Sequence, residues 1–147
     1  MLAIADGGAL APVLTDPGRP KILHAARQDI EALLPLTGTP LAPVFDTQQA
    51  AALLGFPAQI GYAELVRQLL GVELAKGHAR TDWSRRPLSQ EQLAYAADDV
   101  RYLPAIAAGA RGSASRRQAG VPGSTKSRRR FAISRSIAWS LRRRGGA

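Results

Sequence analysis

The chain has no cysteine in its 147 residues. That excludes a disulfide framework, a thiolate-held zinc or iron–sulfur site, and a cysteine nucleophile. Its two histidines, His24 and His78, are too few for a histidine-rich metal centre. No apolar run approaches the roughly 20 residues that cross a bilayer as a helix. The opening Met-Leu-Ala-Ile-Ala-Asp has no basic n-region, and Asp6 interrupts any signal-like stretch. A soluble, cytoplasmic protein is therefore expected. The length suits one domain with an appendage rather than two full domains.

Acidic residues are absent from the last quarter. Residues 109–147 hold eleven Lys or Arg and no Asp or Glu, whereas residues 1–108 hold nine basic residues against eleven acidic ones. The net charge of +9 thus belongs to the tail, and the larger part is slightly acidic. The tail also has only five Leu, Ile, Val or Phe, set among fourteen Gly, Ser or Pro. So little apolar surface does not offset the entropy of ordering the chain. A partial domain over 1–108 followed by a disordered basic tail over 109–147 is expected. Within that tail, the mostly odd-numbered apolar positions from Phe131 to Leu141 have a weak strand-like alternation.

Before the tail, strand and helix patterns alternate. Lys21-Ile-Leu-His24 follows the turn signal Asp16-Pro-Gly18 and reads as a short strand. A helix is predicted from about Ala25 to Leu34, with Ala26, Ile30 and Leu33 on its buried side and Pro35 as its stop. Pro43-Val-Phe45 reads as a second strand. Asp46 or Thr47 can cap a helix through Leu54, with Gly55 following. Further helices are predicted over about Tyr62–Leu70 and from Ser89 to about Ala107, the latter opened by the capping box Ser89-x-x-Gln92. Such alternation points to an α/β layered domain. The strands are few, since the first 20 residues offer at best one more, around Leu2–Ala5, and the sheet looks incomplete.

Tyr95 and Asp99, four apart on the last helix, are neighbours on one face, roughly opposite Leu93, Ala97, Val100 and Pro104. A carboxylate beside a phenol can hold a divalent metal and position a water; it can equally be a solvated face with an incidental contact. Asp98, three from Tyr95, is a near-equal candidate, or a surface charge near Arg101. Asp29 sits at the edge of the first helix's buried stripe, where it is a ligand, a capping acceptor or a partner for an arginine. His24 reads as a strand-end histidine, and Asp46 as an N-cap.

Five stretches in unbroken order resemble ribonuclease D, a family of DEDD-type 3′–5′ exonucleases, in the branch with tyrosine in its third motif. They are Lys21-Ile-Leu-His-Ala-Ala-Arg-Gln-Asp29, Phe45-Asp-Thr-Gln48, Gln59-Ile-Gly-Tyr62, Thr81-Asp-Trp-Ser-Arg-Arg-Pro-Leu88 and Tyr95-Ala-Ala-Asp-Asp-Val-Arg-Tyr-Leu103. The resemblance covers roughly residues 10–106. It implies a ribonuclease H-like (DnaQ-like) three-layer α/β fold and two-metal hydrolysis of RNA 3′ ends, including those of tRNA precursors, with Mg²⁺ or Mn²⁺. By the same resemblance Asp29 is the second-motif metal carboxylate, Asp99 (rather than Asp98) the third-motif carboxylate, and Tyr95 the tyrosine that orients or activates the attacking water.

The family's first motif, an Asp-x-Glu on its opening strand, has no counterpart, because the one Asp-x-Glu present is Asp29-Ile-Glu31. The expectation is an incomplete exonuclease domain lacking its N-terminal strands, with activity impaired by the loss of two of four metal carboxylates. The tail does not resemble the family's helical accessory domains. It reads either as an RNA-binding arm acting through phosphates or as unselected sequence after a truncated domain. A non-catalytic RNA-binding protein and an inactive remnant are the alternatives.

Overall fold

The computed structural model describes residues 7–75 and 81–118, with side chains over 10–75 and 81–115. The elements in order are α1 (Gly7–Thr15), β1 (Lys21–Leu23), α2 (Arg27–Thr37), β2 (Val44–Asp46), α3 (Thr47–Leu53), α4 (Tyr62–Leu70), α5 (Gln90–Arg101) and α6 (Leu103–Gln118). The possible strand at Leu2–Ala5 and the stretch Phe131–Leu141 lie outside the described residues. Among the described helices, none is long and apolar enough to cross a membrane.

The two described strands are parallel, with Lys21 opposite Val44, Ile22 opposite Phe45 and Leu23 opposite Asp46. Parallel neighbours need a crossover, and α2 supplies it. Lys21 helps fix the register: its amide donates to Pro43 O at 2.9 Å, and its Nζ donates to Asp16 O at 2.8 Å and Ala42 O at 2.7 Å. The architecture is α/β, as expected, with only two strands described.

The main core is helical. Ala51 of α3, Leu65, Val66 and Leu69 of α4, and Ile106 of α6 close around Ile60, with Phe56, Tyr62 and Tyr102 packed at its margin. Leu65, Val66 and Leu69 follow the three-and-four spacing of one helix face, so α4 buries the stripe its sequence announces. Gly71 then ends α4 at φ +68°, a conformation that costs glycine little.

The structure adds to the sequence reading or departs from it at four points. Residues 7–15 are helical although Pro12 lies inside the helix. Pro35 does not stop α2, which runs on to Thr37; a proline in the last turn removes a single ladder bond, and Gly38 closes the end by donating to Leu34 O at 2.9 Å. The single helix expected from Ser89 to Ala107 is two helices, parted at Tyr102. Pro104 contributes to the parting, because it has no N–H for the carbonyl of Val100 and its ring crowds that turn. Finally, Leu93, Ala97, Val100 and Pro104 are all exposed, Val100 at 59%. No described element covers that side, and α5 turns Gln92, Tyr95 and Asp98 inward instead.

The boundary expected at Ala108–Gly109 falls within α6, which continues to Gln118. Ala110 is buried, and the Arg111 guanidinium lies 4.9 Å from the centre of the Phe45 ring. Residues 119–147 of the basic segment lie outside the described residues.

Candidate active site

Asp46 ends β2 and accepts four backbone hydrogen bonds. Two come from the first turn of α3, Gln48 N at 2.8 Å and Gln49 N at 3.4 Å, as its sequence position suggested. The other two come from across the sheet, Ala25 N at 3.1 Å and Ala26 N at 2.9 Å. Ala25 has φ +55°, a left-handed conformation uncommon for alanine, and these bonds hold it there. The turn from β1 into α2 is thereby set, and with it the start of the helix that carries Asp29.

Asp29 occupies the third position of α2, exposed and without a hydrogen bond or ion pair among the described residues. An acid in the first turn is favoured by the helix dipole whether or not it has a ligand. His24, just before that turn, has both ring nitrogens engaged: Nδ1 lies 2.9 Å from Thr47 Oγ1 and Nε2 lies 3.0 Å from Ile60 O. Burial lowers its pKa, against smaller opposing effects of the Ile60 carbonyl and Asp46. It is a structural histidine, as expected.

On α5, Tyr95 is half-buried with its ring 6.0 Å from that of Trp83, tilted at 47°. The loop bearing Trp83 is held by Asp82, which accepts from Ser84 N at 3.0 Å and Ser84 Oγ at 2.6 Å. The two neighbouring acids differ in surroundings. Asp98 forms an ion pair with Arg101, Oδ1 to Nη1 at 3.0 Å. The alignment is not that of a hydrogen bond, and this Oδ1 is buried without another partner. Asp99 has no cationic partner among the described residues; its pKa is raised by partial burial and then by the Asp98 charge beside it.

Sequence reasoning missed Tyr62. The first residue of α4, it sets its ring edge-on to His24 at 5.6 Å and 60°, and its hydroxyl reaches α5. That hydroxyl donates to Asp98 O at 3.1 Å and accepts from Tyr102 N at 3.3 Å. Burial, with Asp99 and Asp98 contributing, pushes its pKa up to about 12. The available signals were Gly-Tyr at a helix start and a proline 42 residues on, neither of which specifies a contact.

Tyr95, Asp98 and Asp99 thus share one helix, with Tyr62 and His24 behind it, and Asp29 stands on α2. No three of the His, Asp and Glu residues group closely enough to hold a metal ion among the described residues. The donor set therefore does not fit a pair of divalent ions.

A 3′–5′ exonuclease family model matches residues 2–108. The chain is 46% identical over 105 residues to ribonuclease D of Pseudomonas paraeruginosa, covering 71% of this chain and 28% of that protein. It is 44% identical over 107 residues to ribonuclease D of Escherichia coli, covering 73% and 28% respectively. The crystal structure of the E. coli enzyme, described as an exoribonuclease involved in structured RNA processing, superposes with a TM-score of 0.72 at 34% identity. That match covers 97% of this chain and 35% of the other. NrnC of Brucella melitensis superposes with a TM-score of 0.65 at 29% identity, covering 90% of this chain and 58% of that one. The chain therefore spans little more than a quarter of the two ribonuclease D sequences.

Proposed function

From the premise that this chain belongs to the 3′–5′ exonuclease family, in its ribonuclease D branch, we propose that its function is hydrolytic removal of nucleotides from RNA 3′ ends, impaired in the chain by itself. The supporting observation is the pair Tyr95 and Asp99 on α5, in which Asp99 has no cationic partner among the described residues while its neighbour Asp98 is paired with Arg101. In this reading Asp99 and Asp29 are the carboxylates that remain of the family's metal site, and Tyr95 is the residue that would orient the attacking water. The family generally depends on divalent metals, and Mg²⁺ or Mn²⁺ is the proposed kind here. Impairment follows from the donor set. With no Asp-x-Glu outside α2 and no group of three His, Asp or Glu able to hold a metal ion among the described residues, the carboxylates that neutralise two cations are too few. Loss of one member of a catalytic unit commonly lowers rate by several orders of magnitude.

Structured RNA ends such as those of tRNA precursors are the proposed substrates. A 3′-labelled tRNA precursor incubated with Mg²⁺ or Mn²⁺ tests the reading. Release at least a thousandfold slower than by full-length ribonuclease D, abolished by Asp99→Ala, is expected. Release as fast as that control overturns the impairment, and release indifferent to Asp99→Ala overturns the exonuclease reading.

A second reading rests on the eleven cations after residue 108, which suit phosphate binding of RNA without catalysis. It gives RNA affinity that falls steeply with salt and no Asp99-dependent release.

A further inference from the structure

In an uninterrupted helix the amide of Tyr102 donates to the carbonyl of Asp98, four residues back. Here the Tyr62 hydroxyl stands between those two groups, accepting from the amide at 3.3 Å and donating to the carbonyl at 3.1 Å. A side chain has entered the helical ladder, one of the recognised causes of a helix break. The second cause is next to it. Pro104 cannot donate to Val100, and the Tyr102 amide turns back to that same Val100 carbonyl. After the break the Ile106 amide donates to Tyr102 O at 3.1 Å, and α6 begins anew.

Asp99 lies inside the loop closed by this wedge, one residue after the carbonyl to which the Tyr62 hydroxyl donates. Tyr62 is itself fixed. It opens α4, directly after Gly61, and its ring is edge-on to His24, whose nitrogens are tied to Thr47 and Ile60. Thr47 is wholly buried and donates to Leu23 O at 2.9 Å. A continuous chain of contacts thus runs from the end of β1 to the backbone of Asp98.

We propose that Tyr62 is a positioning residue for Asp99: its hydroxyl replaces the Asp98–Tyr102 ladder bond, holds the α5–α6 break open and so sets the direction of the Asp99 carboxylate. The catalytic meaning of that direction rests on the exonuclease reading above, whereas the wedge itself does not. Without the hydroxyl, the Asp98 carbonyl and Tyr102 amide either pair directly, straightening the helix, or the carbonyl loses this donor and the amide turns wholly to Val100 O. In both cases the turn bearing Asp99 moves. A displacement near 1 Å at a catalytic group lowers turnover about 100-fold.

Nuclear magnetic resonance of the ¹⁵N-labelled chain tests the wedge without any need for activity. In the wild type, a slowly exchanging Tyr62 hydroxyl proton with cross-relaxation to the Tyr102 amide is expected. In Tyr62→Phe, which keeps the ring against His24, residual dipolar couplings of Asp98–Val100 relative to Ala105–Ala110 change, and those within α4 do not. An absent hydroxyl cross-peak in the wild type, or unchanged couplings in the variant, overturns the proposal. The cross-peak keeps it testable if the variant does not fold. In single-turnover hydrolysis of 3′-labelled RNA, Tyr62→Phe lowers the rate constant about 10- to 100-fold and leaves the Kd for RNA unchanged. An equal rate in the two proteins overturns the positioning role. Wild-type release indifferent to Asp99→Ala counts against the exonuclease reading alone, and the couplings still decide the wedge.

Discussion

The carboxylate of Asp46 accepts the Ala26 amide at 2.9 Å, so the acid that caps α3 also anchors the start of α2. One side chain thereby serves two helix N-termini, each with amides that lack partners within its own helix. Asp46→Ala removes a cap worth about 1 kcal/mol. It also leaves Ala25 in a left-handed conformation without its restraint, so the expected loss in urea unfolding is about 2 kcal/mol or more. Asp46→Asn keeps one acceptor oxygen and is expected to lose less than half as much. A loss under 0.5 kcal/mol for the alanine variant, about the lower limit for a cap, counts against the double-anchor role.

Asp99 is held in a conformation that suits its charge poorly. Its raised pKa means that the folded chain binds the proton more tightly than the unfolded chain does. The stability this contributes is present below the ordinary Asp value and is lost as pH rises through the folded value. At neutral pH the ionised group therefore opposes folding. Asp99→Asn is expected to melt at the same temperature as the wild type or slightly higher at pH 7, by on the order of 0.5 kcal/mol or less for so exposed a group. The difference shrinks in high salt, as exposed like-charge repulsion does. A clearly lower melting temperature for Asp99→Asn contradicts this.

His24 titrates in the opposite sense. Burial lowers its folded pKa below the ordinary 6.5, so the unfolded chain binds the proton more readily. Stability is fully present above that ordinary value and falls as the pH drops through it towards the folded value. Protonation also reaches the hydroxyl of Thr47, which lies within reach of both His24 Nδ1 and Leu23 O and can donate to one at a time. Urea midpoints compared at pH 7.5 and 5.5 are expected to fall more for the wild type than for His24→Gln. His78 is present in both proteins, so its contribution cancels. An equal fall in the two removes His24 from the acid response.

The sequence made some of this visible and hid the rest for physical reasons. The local signals are short-range and held: Asp46 two residues before the Gln48 amide, Ser89 paired with Gln92 in a capping box, and Gly71 after an apolar stripe. The face that α5 buries is not its apolar one. Periodicity says which residues group together, but which group turns inward depends on what lies opposite. Opposite α5 stands the polar end of Tyr62, and Leu93 and Val100 stay in solvent. Pro104 lies on that same side by spacing, yet its missing N–H is one of the two causes that end the helix. As for Tyr62, its contact with Tyr102 spans 40 residues, a separation at which spacing rules carry no information.

The basic segment divides at the end of α6. Arg111 rests on Phe45 within the folded part, so deleting everything after residue 108 removes most of α6 together with charge. Deletion of residues 119–147 is the cleaner experiment, because it removes eight of the eleven cations and keeps α6 to its last residue. Binding of a phosphate backbone by cations releases counterions, so the logarithm of affinity falls linearly with the logarithm of salt concentration. With single-stranded RNA the slope approaches about 0.7 per phosphate neutralised. If half of the eight cations engage at once, the full chain is expected to show a slope about 3 units steeper than the shortened one. Affinity is expected to be at least tenfold tighter at low salt, with the melting temperature unchanged. Equal slopes in the two proteins place RNA binding in residues 1–118 and remove the reading in which the arm dominates.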